Sequence, residues 1–141
     1  MADSTTATSV SRIRTVSVPV RDQDAALEFY TVVLGLEKSL DADLGGGARW
    51  IEVSPTGGGT TIALIPAKPD QPSRVETGIR LCTADAAAFH AQLLEHGASA
   101  DEVLRWPGVP PMFAFRDRDG NGLEIVQEAC GTAADGSGPL H

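Results

Sequence analysis

At 141 residues and 42% hydrophobic side chains, the chain is sized for one domain with a core of its own, so neither a disulfide nor a metal is needed to hold it together. Its 11 lysines and arginines are scattered and are outnumbered by 19 acidic residues, a net charge of −8 that argues against nucleic acid or an anionic membrane and favours a cationic small molecule. No apolar run approaches the ~20 residues of a membrane helix, and the two cysteines, Cys82 and Cys130, lack disulfide or zinc spacing; a cytoplasmic protein with reduced thiols is expected.

Residues 1–11 and 129–141 are dominated by small and polar side chains that bury too little apolar surface to offset ordering, so both ends are expected to be mobile tails around a single domain, 12–128. From Ile13 to Val20, Val16, Val18 and Val20 alternate with Thr15, Ser17 and Pro19, the period of a strand with one apolar face. Asp22 is placed to cap a helix on which Ala26, Phe29, Tyr30 and Val33 share a face, and Gly35 closes it. Three strands follow, at Leu36 to Ala42, Arg49 to Val53 and Thr60 to Ile65, separated by glycine-rich turns. The proline-rich stretch 67–74 then links to a second half, 75–128, in which the order recurs. Gly78 to Thr83 is a strand, Asp85 caps a helix bearing Ala86, Phe89 and Leu93, Gly97 ends it, and strands are expected at Glu102 to Trp106, Met112 to Arg116 and Gly122 to Gln127. The pattern is β-α-β-β-β twice, over 12–66 and 75–128, and a lone copy would leave a sheet face bare.

Two segments carry a family resemblance. Val18-Pro-Val-Arg-Asp-Gln-Asp-Ala-Ala-Leu-Glu-Phe-Tyr-Thr-Val-Val-Leu-Gly35 resembles the opening strand, aspartate cap and "FY...LG" helix of the vicinal oxygen chelate superfamily, which includes glyoxalases, bleomycin-resistance proteins and extradiol dioxygenases. Phe115-Arg-Asp-Arg-Asp-Gly-Asn-Gly-Leu-Glu-Ile-Val-Gln127 is similar to that family's "DPDGN" hairpin, with Arg118 in place of the usual proline. The resemblance implies an α+β fold in which two βαβββ modules form curved mixed sheets around a cavity, with helices on the outer faces. It also implies a homodimer.

Enzymes of that family hold a divalent metal with histidine, glutamate or glutamine from the first and last strands of each module. Carried over, those four positions fall on Thr15, Ala63, Gly78 and Glu124, of which only Glu124 can ligate, so no metal cofactor is expected. His90 and His96 lie on the second helix and His141 ends the tail. Strand parity adds Ser17, Thr61 and Arg80 to the cavity wall and turns Trp50 and Glu52 inward, with Trp106 and Met112 lining the second half. Trp50 is either a platform for a flat or cationic ligand or an inter-strand packing residue, and Cys82 reads as a small buried hydrophobe. Arg80 is expected to pair with Glu124 where a relative's metal would sit, with Glu52 as a second partner, and a buried pair would cost about 3 to 5 kcal/mol to break. The resulting expectation is a metal-independent binding protein of the bleomycin-resistance type that sequesters a small molecule such as an antibiotic or cytotoxic metabolite. The alternative is a glyoxalase-like lyase, isomerase or dioxygenase with a divalent metal or with Glu124 as its acid or base.

Overall fold

The computed structural model describes residues 7–70 and 74–128. Residues 7–14 carry no regular secondary structure and are exposed; the rest of the expected tails, with Cys130 and His141, and 71–73 of the linker lie outside the described residues. The first half runs β1 (Thr15–Val20), α1 (Gln23–Glu28, continued by a π-helical turn over Phe29–Val33), β2 (Glu37–Gly45), β3 (Ala48–Ser54) and β4 (Thr61–Pro66). The second runs β5 (Glu76–Thr83), α2 (Ala86–Glu95), β6 (Ser99–Ala100), β7 (Met112–Arg116) and β8 (Gly122–Gln127). Each half is one mixed four-stranded sheet, ordered β1-β4-β3-β2 and β5-β8-β7-β6, with the first and last strands parallel. Among the described residues no helix is long and apolar enough to cross a membrane.

Both helices start as their sequence demands: Asp22 and Asp85 are extended, and each carboxylate accepts the backbone N–H three residues on, at 3.1 Å from Ala25 and 3.0 Å from Ala88. The first helix departs from the uniform α-helix that its 3.6-residue period predicts. Thr31 donates its hydroxyl to the Leu27 carbonyl at 2.8 Å, competing for the ladder, and Leu34 N–H reaches back five residues to the Phe29 carbonyl at 3.1 Å. The resulting π turn keeps the consecutive rings of Phe29 and Tyr30 both buried.

The expected strand over Glu102 to Trp106 is not formed. Pairing with β7 comes earlier, at Ser99 and Ala100, and survives beyond it only as a bridge between Leu104 and Met112. The physical reason is local: Pro107 cannot donate to a ladder, and Val109 N–H closes a turn on the Trp106 carbonyl at 3.1 Å.

The helix-facing residues of both sheets form one apolar cluster that includes Val18, Ile51, Leu64, Leu93, Phe115 and Ile125. A polar knot crosses it. Asp117, buried at the end of β7, accepts the Tyr30 hydroxyl at 2.8 Å and the Asn121 side-chain amide at 3.0 Å, while its other oxygen takes the N–H groups of Asp119 and Asn121, both at 2.9 Å. Fully buried Asn121 also donates to the Pro19 carbonyl at 2.9 Å and accepts Val75 N–H at 3.0 Å. Burial, and then the adjacent Asp117 carboxylate, push the Tyr30 hydroxyl well above its ordinary pKa, which keeps it a donor.

Tyr30→Phe removes one donor from a buried carboxylate and is expected to lower unfolding stability by about 1–3 kcal/mol. Asn121→Ala, which breaks bonds in both halves, is expected to cost more. Urea unfolding checks both: the midpoints fall in that order with unchanged slope.

Candidate functional site

On each sheet the residues that alternate with the core positions face away from the helices, and they carry most of the polar chemistry. In the first sheet Ser17, Ala63 and Glu52 lie in one cross-strand row, with Thr15 beside Thr61 in the row below. Glu52 is buried, its side chain only 3% exposed, in the space left over the small Ala63. One carboxylate oxygen accepts the Thr61 hydroxyl at 2.9 Å; the other accepts the Trp50 indole N–H at 2.7 Å and the Arg14 guanidinium at 3.2 Å. Thr15 Oγ1 sits 2.5 Å from Thr61 Oγ1, so when Thr61 donates to Glu52 it accepts from Thr15. The Trp50 N–H, opposed by burial and aided by Thr61 and Arg14, holds the Glu52 carboxyl below the usual glutamate range.

In the second sheet Arg80, Glu124 and Ala114 form the corresponding row. Gly78 is exposed, with φ of +74° at a register shift in β5, a conformation that glycine adopts without strain. Arg80 Nε donates to Glu124 Oε1 at 2.7 Å, so the expected pair forms. It is not buried: the side chains are 66% and 42% exposed, and water screening reduces its contribution to ~0–1 kcal/mol rather than the larger cost of breaking a buried pair. Glu52, the second partner considered for Arg80, pairs with Arg14 instead. Above this row lies a pocket of 370 Å³ lined by Asp101, Glu102, Leu104, Met112, Ala114 and Glu124, with Phe113 at its base.

The wall residues read from strand parity thus fall into two groups. Thr15, Trp50, Glu52 and Thr61 join one another around Glu52, with Ser17 and Ala63 alongside, while Arg80, Met112 and Glu124 collect on the second sheet. Among the described residues no hydrogen bond or ion pair joins one group to the other. Trp106 belongs to neither, standing 63% exposed in the turn that replaces the expected strand. Cys82 is exposed rather than buried, because the even-numbered side of β5 carries no covering element. Local desolvation and the nearby Glu128 carboxylate, 3.1 Å from Sγ, push its thiol up to about 11, so it is protonated and a poor nucleophile at neutral pH. His90 is half-buried, bonded to the Asp101 carbonyl at 2.8 Å and edge-on to Phe113.

Sequence reasoning missed Arg14, Asp101, Glu102 and Leu104. Arg14 falls inside the strand expected from Ile13, where parity sets it with the core-facing Val16, Val18 and Val20, but β1 begins only at Thr15. Glu102 and Leu104 sit in the segment expected to be a strand, and Asp101 immediately precedes it.

The four positions that hold metal in related enzymes do not fit a transition metal. Thr15 and Ala63 lie on one sheet, Gly78 and Glu124 on the other, and Ala63 and Gly78 have no donor atom in their side chains. Among the described residues no group of three or more His, Cys, Asp or Glu side chains is placed to bind an ion.

Comparison with known proteins places this geometry. The family described as Glyoxalase/Bleomycin resistance protein/Dioxygenase superfamily matches residues 12–125. The uncharacterized protein YetH of Bacillus subtilis is 37% identical over 116 residues, covering 79% of this chain and 94% of that protein. Among solved structures, TnmS3, an antibiotic binding protein from Streptomyces sp. CB03234, is 31% identical with a TM-score of 0.74 over 87% of this chain and all of that one. A superfamily member from Sphaerobacter thermophilus is 30% identical with a TM-score of 0.77, covering 84% of this chain and 98% of its own.

Because the folded-state Glu52 carboxyl lies below its unfolded value of ~4.3, it contributes stability that is fully present above that pH and is lost as pH falls through the folded value. The stability gap between wild type and Glu52→Gln is therefore expected to be constant from pH 7 to 5 and to shrink below about pH 4.3, as read by urea unfolding across pH. For Arg80 and Glu124, a double-mutant cycle is expected to give a coupling no larger than ~1 kcal/mol, shrinking with added salt.

Proposed function

The chain belongs to the glyoxalase/bleomycin resistance protein/dioxygenase superfamily, and on that premise we propose that it is a metal-independent binding protein that sequesters a small molecule without transforming it. One observation carries the reading: three of the four positions where enzymes of this family hold metal are Thr15, Ala63 and Gly78, while the faces around them keep the features of a binding wall. Leu104, Met112 and Ala114 offer apolar area, and Glu124, Asp101 and Glu102 offer charge at its edge, a combination suited to an apolar or aromatic body with a cationic group. The likeness to an antibiotic binding protein over most of both chains supports a small-molecule ligand.

The enzyme alternative rests on Glu124, a half-exposed carboxylate at a pocket. In that role it would act as an acid or base, but its Oε1 already accepts Arg80 Nε at 2.7 Å, and among the described residues neither Ser17 nor Cys82 has a histidine partner to activate it. The binding reading requires neither.

We further propose a homodimer. A two-fold copy that lays the Glu52 face of one chain against the Glu124 face of the other would close a cavity from both groups, with Thr15, Ser17, Trp50, Glu52, Thr61 and Ala63 on one wall and Gly78, Arg80, Met112 and Glu124 on the other.

Light scattering is expected to give twice the chain mass. Protein supplied with zinc, nickel, manganese or iron is expected to show no glyoxalase or extradiol dioxygenase turnover. Turnover that depends on both added metal and Glu124 would replace this reading with the enzymatic one.

A further inference from the structure

Glu52 and Arg14 form an unequal pair. The carboxylate is built into the sheet: its side chain is 3% exposed, and its two closest donors, Trp50 and Thr61, come from β3 and β4 and are held by the ladder. Among the described residues its one cationic partner is a side chain neither buried nor held by a second bond, although the backbone carbonyl of that residue, Arg14, accepts Thr61 N–H at 3.0 Å. Arg14 precedes β1, its side chain is 63% exposed, and its contact at 3.2 Å is the longest of the three. The contrast with Arg49 is informative, since that guanidinium is fixed by two bonds to Asp41 and one to Asp24. The fixed donors around Glu52 are neutral, so its charge is balanced by a group that can leave.

We propose that Arg14 is an internal stand-in for a cationic ligand group, and that Glu52 with Trp50 forms the recognition site for an amidinium, guanidinium or ammonium attached to a flat ring. The inference rests on the reading of the chain as a small-molecule binding protein and adds to it the charge and shape of one ligand group and a competing residue within the chain. The chemistry is read from the group already there: a guanidinium occupies Glu52 Oε2 beside the indole of the half-buried Trp50. Exchange of one cation for another leaves the carboxylate neutralised throughout, so the ligand meets no penalty for an unpaired buried charge. The neighbouring indole adds a face for the ring and an attraction for the cation. The tether makes Arg14 a competitor at high effective concentration, so the site binds with an affinity reduced by the fraction of time it is open.

Benzamidinium, a single ring with a fixed cation, is the probe, and neutral benzamide is its control. Titration followed by Trp50 fluorescence and by calorimetry is expected to show benzamidinium binding about tenfold tighter to Arg14→Ala than to wild type, as expected for a site closed nine-tenths of the time. Arg14→Lys is expected to fall between them. Glu52→Gln is expected to abolish binding, Trp50→Phe to remove most of the quenching, and benzamide to bind none of the variants measurably. Arg14 is exposed, so that arm stands even where Glu52→Gln fails to fold. Benzamidinium affinity that is unchanged or weaker in Arg14→Ala overturns the proposal, as does equal binding of benzamide. A parallel titration of an apolar dye, anilinonaphthalene sulfonate, against wild type and Met112→Lys reads the second-sheet pocket alone. Dye binding lost in Met112→Lys, together with a flat benzamidinium series, overturns the Arg14 proposal and leaves the binding-protein reading in place. The reverse pattern overturns the pocket reading and retains Arg14.

Discussion

The fold depends on one buried carboxylate. Asp117 sits at the end of β7 with four hydrogen-bond donors around it, and one of them, the Tyr30 hydroxyl, comes from the other half of the chain. An isolated carboxylate in an apolar cluster would cost several kcal/mol or take up a proton, so the four donors are a condition of its being there. They also set geometry. Asn121 can serve Asp117 and the Pro19 carbonyl together only when the β7–β8 turn is seated against the end of β1, and the Arg21 N–H to Asp119 contact at 2.9 Å fixes the same corner. Apolar packing between the halves is tolerant of small slides. The knot is not, and it orients the two outward sheet faces on which the candidate site is built.

Much of this architecture was legible in the sequence because it follows from local rules. The aspartate caps, the closing glycines and the alternation of β1, β3, β4, β7 and β8 each rest on a few adjacent residues, and each appears where those residues place it. The failures have a common origin in competition that periodicity does not register. Glu102 to Trp106 alternates well enough for a strand, yet Pro107 and the turn at Val109 end pairing beyond Leu104. Phe29 to Val33 has helical spacing, but the Thr31 hydroxyl takes a carbonyl from the ladder and the turn widens.

Site legibility divides along the same line. Strand parity put Thr61, Trp50 and Glu52 on one face and Arg80 and Glu124 on another, because inside a strand direction follows from position. It gave no burial. Arg80 and Glu124 sit over an open sheet face, whereas Glu52, reached by the same rule, is enclosed by the side chains that bond to it. Parity misdirects Arg14, because β1 begins at Thr15 rather than at the expected Ile13, and what decides the direction of its side chain is the charge it meets.

The two halves also differ in where each keeps its carboxylate. Aligned through the sheet registers, the row Ser17–Ala63–Glu52 in the first sheet corresponds to Arg80–Glu124–Ala114 in the second. Each half pairs one glutamate with one alanine across the two central strands, but on opposite strands. Two glutamates directly opposite would stand about 5 Å apart at Cβ and repel, so a row of this kind holds one carboxylate and leaves space beside it. That space has been used differently. Over Ala63 it is filled by the Glu52 side chain and its neutral donors, which closes the site around a fixed anion. Over Ala114 it stays open as the 370 Å³ pocket, and the glutamate beside it is held by an arginine of the neighbouring strand. In both halves, then, the glutamate of this row is paired with an arginine, enclosed in the first sheet and open to solvent in the second.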